Sequence, residues 1–389
     1  MTDLPRIPRK EYPERLERLR GLMKGAGLRG TLLTTGMNLA YFTGYPSPIR
    51  NVARPFFVLL PLNGDPVFFT HYGHKEEAER YSWIKDVRYY TELSHAPINM
   101  IRDAMREREV FGNNLGMELG FEQTLDISYL EFCRLREALD PTKLVDMSAI
   151  LWQLRMIKSE AEIACVRKAC QITSEAYEKT FASTGAKASE LEIFRTMQNN
   201  LREGGGGALF LSITSGSGNY DLVTKQPEVR PLEHGDMLWM DAGCTVCGYW
   251  SDFSRAAVVG RPSPEQEYAQ EAIHNITWEA IKRVRPGVPA SDLARFCFAK
   301  LEQLSFPTTS LIARRASRIG HGVGLVTTEP PHLGEHDDTP LATGMIITIE
   351  PGVATPYGTF HIEENLLVTP EGSEVLSQVS RSLFQLPIR

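Results

Sequence analysis

The spacing of apolar positions changes along the chain, and the changes mark its elements. Residues 11–24 place Leu16, Leu19, Leu22 and Met23 at helical spacing among Arg and Glu, and Gly25 and Gly27 end the stretch. Residues 31–34 read as a buried strand, and Asn38 to Gly44 as a lead into a turn. Residues 56–60 and 66–69 are two further strands around the turn Asn63-Gly64-Asp65. A helix over 98–108, a strand over 114–118 and a helix over 127–139 follow. Strands alternating with helices predict an α/β domain over residues 1–152. From Ser159 the pattern becomes a long helix over 160–182, with Ser159 as N-cap and Glu160 and Glu162 in its first turn. A second helix over 188–202 leads to four consecutive glycines, 204–207, which must be loop. A strand over 208–214, helices over 264–284 and 290–304, and a strand-rich remainder predict an α+β domain over 153–389.

Between these elements lies a hairpin with two acids. Leu238-Trp239-Met240 runs into Asp241, and Asp252 eleven residues later leads through Arg255 into Ala256-Ala257-Val258-Val259. Gly243 and Gly248 supply the reversal. An antiparallel pair can bring both carboxylates to one point, where they repel unless a cation or proton lies between them. Three more groups of metal-ligand type follow. His321 is flanked by Gly320 and Gly322, which permit close backbone approach. Glu350 ends the apolar run 345–349, where an unpaired charge is costly. Glu363 and Glu364 precede another apolar strand, and alternation puts only one of the two on a given face. Singly, each has an ordinary structural explanation. Together, two Asp, one His and two Glu suit a pair of divalent ions in the Mn, Co, Zn or Fe range. Such ions turn a water into a nucleophile at neutral pH and polarise a scissile carbonyl.

Composition narrows the class. A net charge of −6 over 389 residues, without a long basic run, argues against a nucleic-acid surface. The first residues carry no apolar signal core, and no apolar stretch is long enough to span a bilayer, so the expectation is a cytoplasmic protein without a membrane partner. Six cysteines do not form a disulfide framework, and Cys244-x-x-Cys247 reads as two small residues in the hairpin.

The order D-x-G…G-Y-x-S-D-x-S-R, then G-H-G-x-G-L, I-E-P-G and I-E-E resembles the pita-bread metallopeptidases: methionine aminopeptidase, aminopeptidase P, prolidase and the metal-free creatinase. Residues 154–163 resemble the segment that opens the catalytic domain in the prolidase and creatinase branch. The first third is similar, more loosely, to that branch's creatinase-like N-terminal domain. The resemblance implies a curved antiparallel sheet covered by helices. It implies two divalent ions held by Asp241, Asp252, His321, Glu350 and Glu363, with Asp252 and Glu363 bridging, Asp241 on one ion and His321 and Glu350 on the other. Glu350 is the catalytic carboxylate it assigns to proton handling, and Glu364 is a neighbouring acid outside the ligand set. A homodimer is implied too, with the stretch from Tyr45 to Phe57, including Arg50 and Arg54, as its candidate contact.

Departures from the family pattern bear on the reaction. Its peptidases carry a His seven residues after the metal His, where this chain has Thr328, and another four residues before it, where this chain has Ser317. A third follows the S-G-x-N turn, but residues 219–225 contain none, and the Arg two residues before the last metal Glu is His361. Those histidines steady the tetrahedral intermediate and move protons. His332 and His361 are the candidates to compensate, with Glu329, Thr328, Tyr220, Asp221 and Lys225 shaping the substrate pocket. The first expectation is a dinuclear hydrolase cleaving an amide bond of a small molecule or short peptide. The alternatives are an enzyme of a small compatible solute, like creatinase, ectoine hydrolase or a dimethylsulfoniopropionate lyase, and a non-catalytic binding protein.

Overall fold

The computed structural model of the chain describes residues 4–46 and 52–388. It divides into two compact units, Ile7–Arg155, and Met156 onward together with the residues ahead of Ile7.

In the first unit, strands β1 (Gly30–Leu33), β2 (Phe57–Pro61), β3 (Val67–His71), β4 (Asp86–Tyr90), β5 (Asn114–Met117) and β6 (Lys143–Asp146) form one sheet in the order β4-β3-β2-β1-β5-β6. The β2 strand runs antiparallel to both neighbours, and the remaining pairs are parallel. Helices α1 (Glu11–Gly25), α2 (Gly36–Thr43), α3 (Lys75–Tyr81), α4 (Ile98–Glu107), α5 (Tyr129–Ala138) and α6 (Ser148–Met156) complete this part. Leu32, Phe57, Leu59 and Phe69 from the sheet and Ile101, Met105 and Leu135 from helices share one core. The α/β expectation holds. One local reading does not, since residues 38–44 are the body and cap of α2 rather than a lead into a turn. Gly44 closes that helix at φ 75°, a left-handed cap. Arg50 of the expected dimer contact lies outside the described residues.

The second unit begins with α7 (Glu160–Ser183) and α8 (Glu190–Glu203). The expected Ser159 cap is present as a reciprocal box: Ser159 Oγ accepts from Glu162 N–H at 3.3 Å, and Glu162 Oε2 accepts from Ser159 N–H at 2.8 Å. Strands β7 (Leu209–Ser215), β8 (Met237–Val246), β9 (Tyr249–Trp250) and β10 (Phe253–Val259) build the Asp hairpin and its neighbours. After α9 (Pro264–Ile281) and α10 (Ala290–Leu301) come β11 (Ser310–Leu311), α11 (Ile312–Ala316), β12 (His321–Gly322), β13 (Glu329–His332) and β14 (Ile346–Ile349). The chain ends in β15 (Gly352–Thr355), β16 (Gly358–His361), β17 (Glu364–Thr369), β18 (Gly372–Val375) and β19 (Phe384–Leu386). Three sheets result: β19-β10-β8-β7 with β9 on β8, β11-β15-β16, and β13-β12-β14-β17-β18. Apart from the parallel β10–β19 pair, neighbouring strands are antiparallel. The chain passes from one sheet to another at Glu350-Pro351 and again at Ile362-Glu363. Helices α9 and α10 bury Ile273, Ala280, Leu293 and Phe298 against strand residues such as Trp239, Ile347 and Phe360. Tyr177 of α7 sets its hydroxyl 2.9 Å from both the Met240 and Phe253 carbonyls, which pins the two hairpin strands beside the acids.

Candidate metal centre

The register explains why the two aspartates meet. On β8 and β10, Ser254 lies opposite Asp241, and Asp252 precedes Ser254 by two residues, so alternation gives all three the same face. Asn365 clamps the Asp252 backbone from β17. Its Oδ1 accepts from Asp252 N–H at 2.8 Å, and its Nδ2 donates to the Asp252 carbonyl at 2.7 Å. Glu350 and Glu363 arrive by a different route. Ile349 pairs with Glu364 across β14 and β17, so Glu350 and Glu363 are the next residues on each strand where both leave the ladder. Their carboxylates therefore sit at sheet crossovers rather than in strand faces. His321 enters on β12, where a Cβ at Gly322 would strike the Pro330 carbonyl oxygen. Thr348 Oγ1 accepts from His321 N–H at 3.1 Å.

The electrostatics of this cluster are unfavourable for protein alone. His321 Nδ1 lies 3.0 Å from the Gly322 carbonyl, which can only accept, so Nδ1 carries the hydrogen and Nε2 keeps a lone pair. Burial holds the ring pKa down to about 4, against the opposing pull of Glu350, so the imidazole is neutral near pH 7. That lone pair faces Glu350 Oε1 at 3.5 Å, Asp252 Oδ2 at 3.6 Å and Glu363 Oε1 at 3.9 Å. Asp241 Oδ1, Glu350 Oε1 and both Glu363 oxygens are buried and accept no hydrogen bond from the described residues. Burial first, and the neighbouring acids after it, raise Asp252 and Glu363 well above the carboxylate range, and burial pushes Asp241 up to about 6. Glu350 goes the other way. Burial opposes its ionisation, but His361, His321 and Arg318 together outweigh it. Buried hard oxygens without donors, gathered around one imidazole lone pair, fit divalent cations and little else. Ligand atoms of Asp252, His321 and Glu363 all lie within 4.8 Å of one another.

Around the cluster, the other expected residues separate into two groups. His361 is close, with Nε2 3.5 Å from Glu350 Oε2 and Nδ1 3.0 Å from Ser254 Oγ. Thr328 and His332 approach it through a residue that motif spacing did not single out, Arg318. Its Nη2 is 3.4 Å from Thr328 Oγ1, its Nη1 3.5 Å from His332 Nδ1 and its Nε 3.8 Å from Glu350 Oε1. An Arg three residues before the motif His was the only available sign. The second group is engaged elsewhere. Glu329 forms a buried ion pair with Lys158 at 2.6 Å. Tyr220 lies in the hydrophobic core with its hydroxyl accepting from Met237 N–H at 3.1 Å. The Asp221 carbonyl accepts from Arg315 at 2.9 Å, and Lys225 pairs with buried Glu190. Cys244 is buried, and the exposed Cys247 donates from Sγ to the Pro5 carbonyl at 2.9 Å.

Glu364 faces away from Glu363 into a cationic clamp. Arg255 Nη2 reaches its two oxygens at 2.9 and 3.1 Å, and Arg381 Nε lies 2.6 Å from Oε1. Arg255 also donates to the Glu363 carbonyl at 2.9 Å, so the clamp holds the crossover that carries Glu363. Glu364→Ala would leave the fully buried Arg255 without its counter-charge. The expected cost is about 3–5 kcal/mol in urea unfolding, and a loss under 1 kcal/mol would contradict this role.

Two family models match the chain in succession. The creatinase/prolidase N-terminal domain matches residues 15–157, and metallopeptidase family M24 matches residues 164–370. An Xaa-Pro dipeptidase of Pyrococcus horikoshii is 30% identical over 271 residues, 68% of this chain and 74% of that one. An Xaa-Pro dipeptidase of Pyrococcus furiosus is 26% identical over 95% of this chain and 99% of its own. In solved structures, the fold is shared with an Xaa-Pro dipeptidase from Bacillus anthracis at TM-score 0.84 and 24% identity, covering 96% of this chain and 100% of that one. The catalytic model spans every member of the acid cluster, and the fold is the pita-bread fold of the prolidases. The chain therefore belongs to metallopeptidase family M24 and is a metal-dependent hydrolase with a creatinase-type N-terminal domain.

Proposed function

We propose that this protein is a dinuclear-metal peptidase that hydrolyses the amide bond of a short peptide of Xaa-Pro type, with Asp241, Asp252, His321, Glu350 and Glu363 holding two divalent cations. The observation that carries this reading is the neutral His321 whose Nε2 lone pair faces the buried Asp252 and Glu363 and the half-buried Glu350 at 3.5–3.9 Å. Bound there, the cations would supply Lewis acidity toward the scissile carbonyl and toward a water. The chain itself supplies proton handling. Ser254 Oγ lies 3.0 Å from both the His361 carbonyl and His361 Nδ1. A carbonyl only accepts, so the arrangement that satisfies all three has Ser254 donating to the carbonyl and Nδ1–H donating to Ser254 Oγ. His361 Nε2 is then the atom that takes or returns a proton, 3.5 Å from Glu350 Oε2. Glu350 receives the proton from the attacking water, and His361 passes it toward the leaving amine. The relatives named Xaa-Pro dipeptidases support the substrate class.

Elemental analysis of protein purified without chelator, beside a panel of Xaa-Pro dipeptides assayed with Mn, Co, Fe and Zn, tests the proposal. About two ions per chain and dipeptide turnover abolished by chelation are expected. Absence of bound metal after reconstitution would overturn it. A second reading keeps the cations and replaces the peptide by a small compatible solute. It is favoured by Thr328 and Ser317 standing where the family's peptidases place histidines. Inert dipeptides beside turnover of such a solute would select it.

A further inference from the structure

Asn365 of β17 does for Asp252 what a neighbouring strand would do. Its amide meets the Asp252 backbone at both polar groups, Oδ1 accepting from the N–H at 2.8 Å and Nδ2 donating to the carbonyl at 2.7 Å. That two-point contact has the pattern of a hydrogen-bonded residue pair in an antiparallel ladder. A ladder is what this place lacks. Strands β8 and β10 belong to one sheet and β17 to another, and among the described residues no strand pairing joins β10 to β17. The side chain of Asn365 therefore stitches the seam between the sheets. Asp252 arrives there from one sheet and Glu363, two residues before Asn365, from the other.

The stitch is itself held. Asn365 is fully buried, its backbone N–H donates to Ser377 Oγ at 3.2 Å, and its carbonyl accepts from Leu376 N–H at 2.8 Å. Cys170 of α7, also fully buried, sets Sγ 3.2 Å from Asn365 Oδ1. Burial pushes that thiol well above its ordinary pKa, so it keeps its hydrogen and donates it. An amide turned end for end would set its NH₂ against both donors, so one orientation is fixed. The contact matters because the two carboxylates oppose each other, with Asp252 adding to the burial that raises Glu363. A backbone fixed in advance spares incoming cations the cost of drawing the two segments together.

We propose that Asn365, oriented by Cys170, is a positioning residue of the metal centre that fixes the spacing of Asp252 and Glu363 and thereby sets the affinity for cations. This rests on the function proposed above, in which both acids are metal ligands.

The test is calorimetric titration of chelator-treated, full-length protein with Mn²⁺, beside melts with and without excess Mn²⁺. Asn365→Ala should weaken Mn²⁺ binding roughly tenfold to a hundredfold. Cys170→Ala should weaken it roughly twofold to tenfold, and Cys170→Ser, which returns a donor, should recover part of that loss. The rise in melting temperature produced by Mn²⁺ should shrink in both alanine variants. Gln266→Ala supplies the contrast, since that side chain caps α9 and donates to the Gly235 and Tyr357 carbonyls at 3.0 Å each. Its two melts should fall together, with Mn²⁺ affinity unchanged. An Asn365→Ala protein that behaves in that way would overturn the positioning role. Should that variant fail to fold, wild-type Mn²⁺ affinity in Cys170→Ala would overturn it instead. The ligand assignment beneath the proposal fails separately, if wild type takes up no Mn²⁺ or if Asp252→Asn binds it as tightly as wild type.

Discussion

Asp252→Asn is expected to stabilise the cation-free protein while abolishing its activity. Asp252 is buried, its ionisation opposed first by burial and then by Asp241 and Glu350. The amide keeps the volume of the carboxylate, cannot ionise beside Asp241 and Glu350, and brings an N–H toward oxygens that have no donor, both of Glu363 and Oε1 of Glu350. In chelator at pH 8, the gain should be on the order of 1–3 kcal/mol. The same change removes a carboxylate from the group with His321 and Glu363 that could hold an ion. Metal content should fall, and the rate should drop by roughly a thousandfold or more. A residue kept for stability behaves oppositely, since its loss weakens the fold. Calorimetric melting in chelator, elemental analysis and initial rates on the one variant decide the matter. An Asn variant that melts several degrees lower without metal, or that keeps both metal and turnover, would rule out the metal-centre assignment.

The second large effect is a dependence of cation-free stability on pH that disappears when metal is bound. Asp241, Asp252 and Glu363 have raised folded pKa values, so the folded protein binds more protons than the unfolded chain above pH 4. Their contribution to stability is therefore present at low pH and lost as pH rises through the folded values. His321 has the opposite sign. Depressed to about 4, it contributes stability that grows as pH rises from about 4 toward its unfolded value near 6.5. Asp241, at about 6, loses its share over nearly the same interval, so the two largely offset each other there. Asp252 and Glu363, both raised well above the ordinary range by burial first, have no such counterweight. Stability of the chelated protein should fall as pH rises from the ordinary carboxylate range through their folded values, at about 1.4 kcal/mol per pH unit for each proton still held. Cation binding replaces those protons, so metal uptake should release acid and the loaded protein should hold its melting temperature across the same interval. Parallel melts with and without chelator, and proton release measured in two buffers, provide the check. A chelated protein whose stability climbs steadily as pH rises above the ordinary carboxylate range would show that these acids are not held protonated.

The parts of this molecule legible from its residues were those with short-range signals. Ser159 with Glu162 announces a helix start because the cap and its partner lie three residues apart. Asp241 and Asp252 declare a hairpin because glycines and alternating apolar residues lie between them. His321 stands out because a bare Cα beside it is required by the Pro330 carbonyl. Helix α2 escaped notice since Asn38 to Thr43 is short, largely apolar and ends at a glycine that serves a turn equally well.

Tertiary structure alone decided which acids face one another and which charges are compensated. Glu363 and Glu364 are adjacent in sequence, yet one joins His321 and Asp252 while the other meets Arg255 and Arg381. Which goes where follows from the β14–β17 register and the sheet crossover. Lys158 finds Glu329 across 171 residues, and Arg318 gains its neighbours only when β13 folds back beside β12. Sequence determined the chemical groups available and the local elements that hold them, because periodicity, caps and glycines act within a few residues. Burial, which turns those groups into a cluster that favours cations, comes from strands and helices packing over long separations, and no local pattern encodes it.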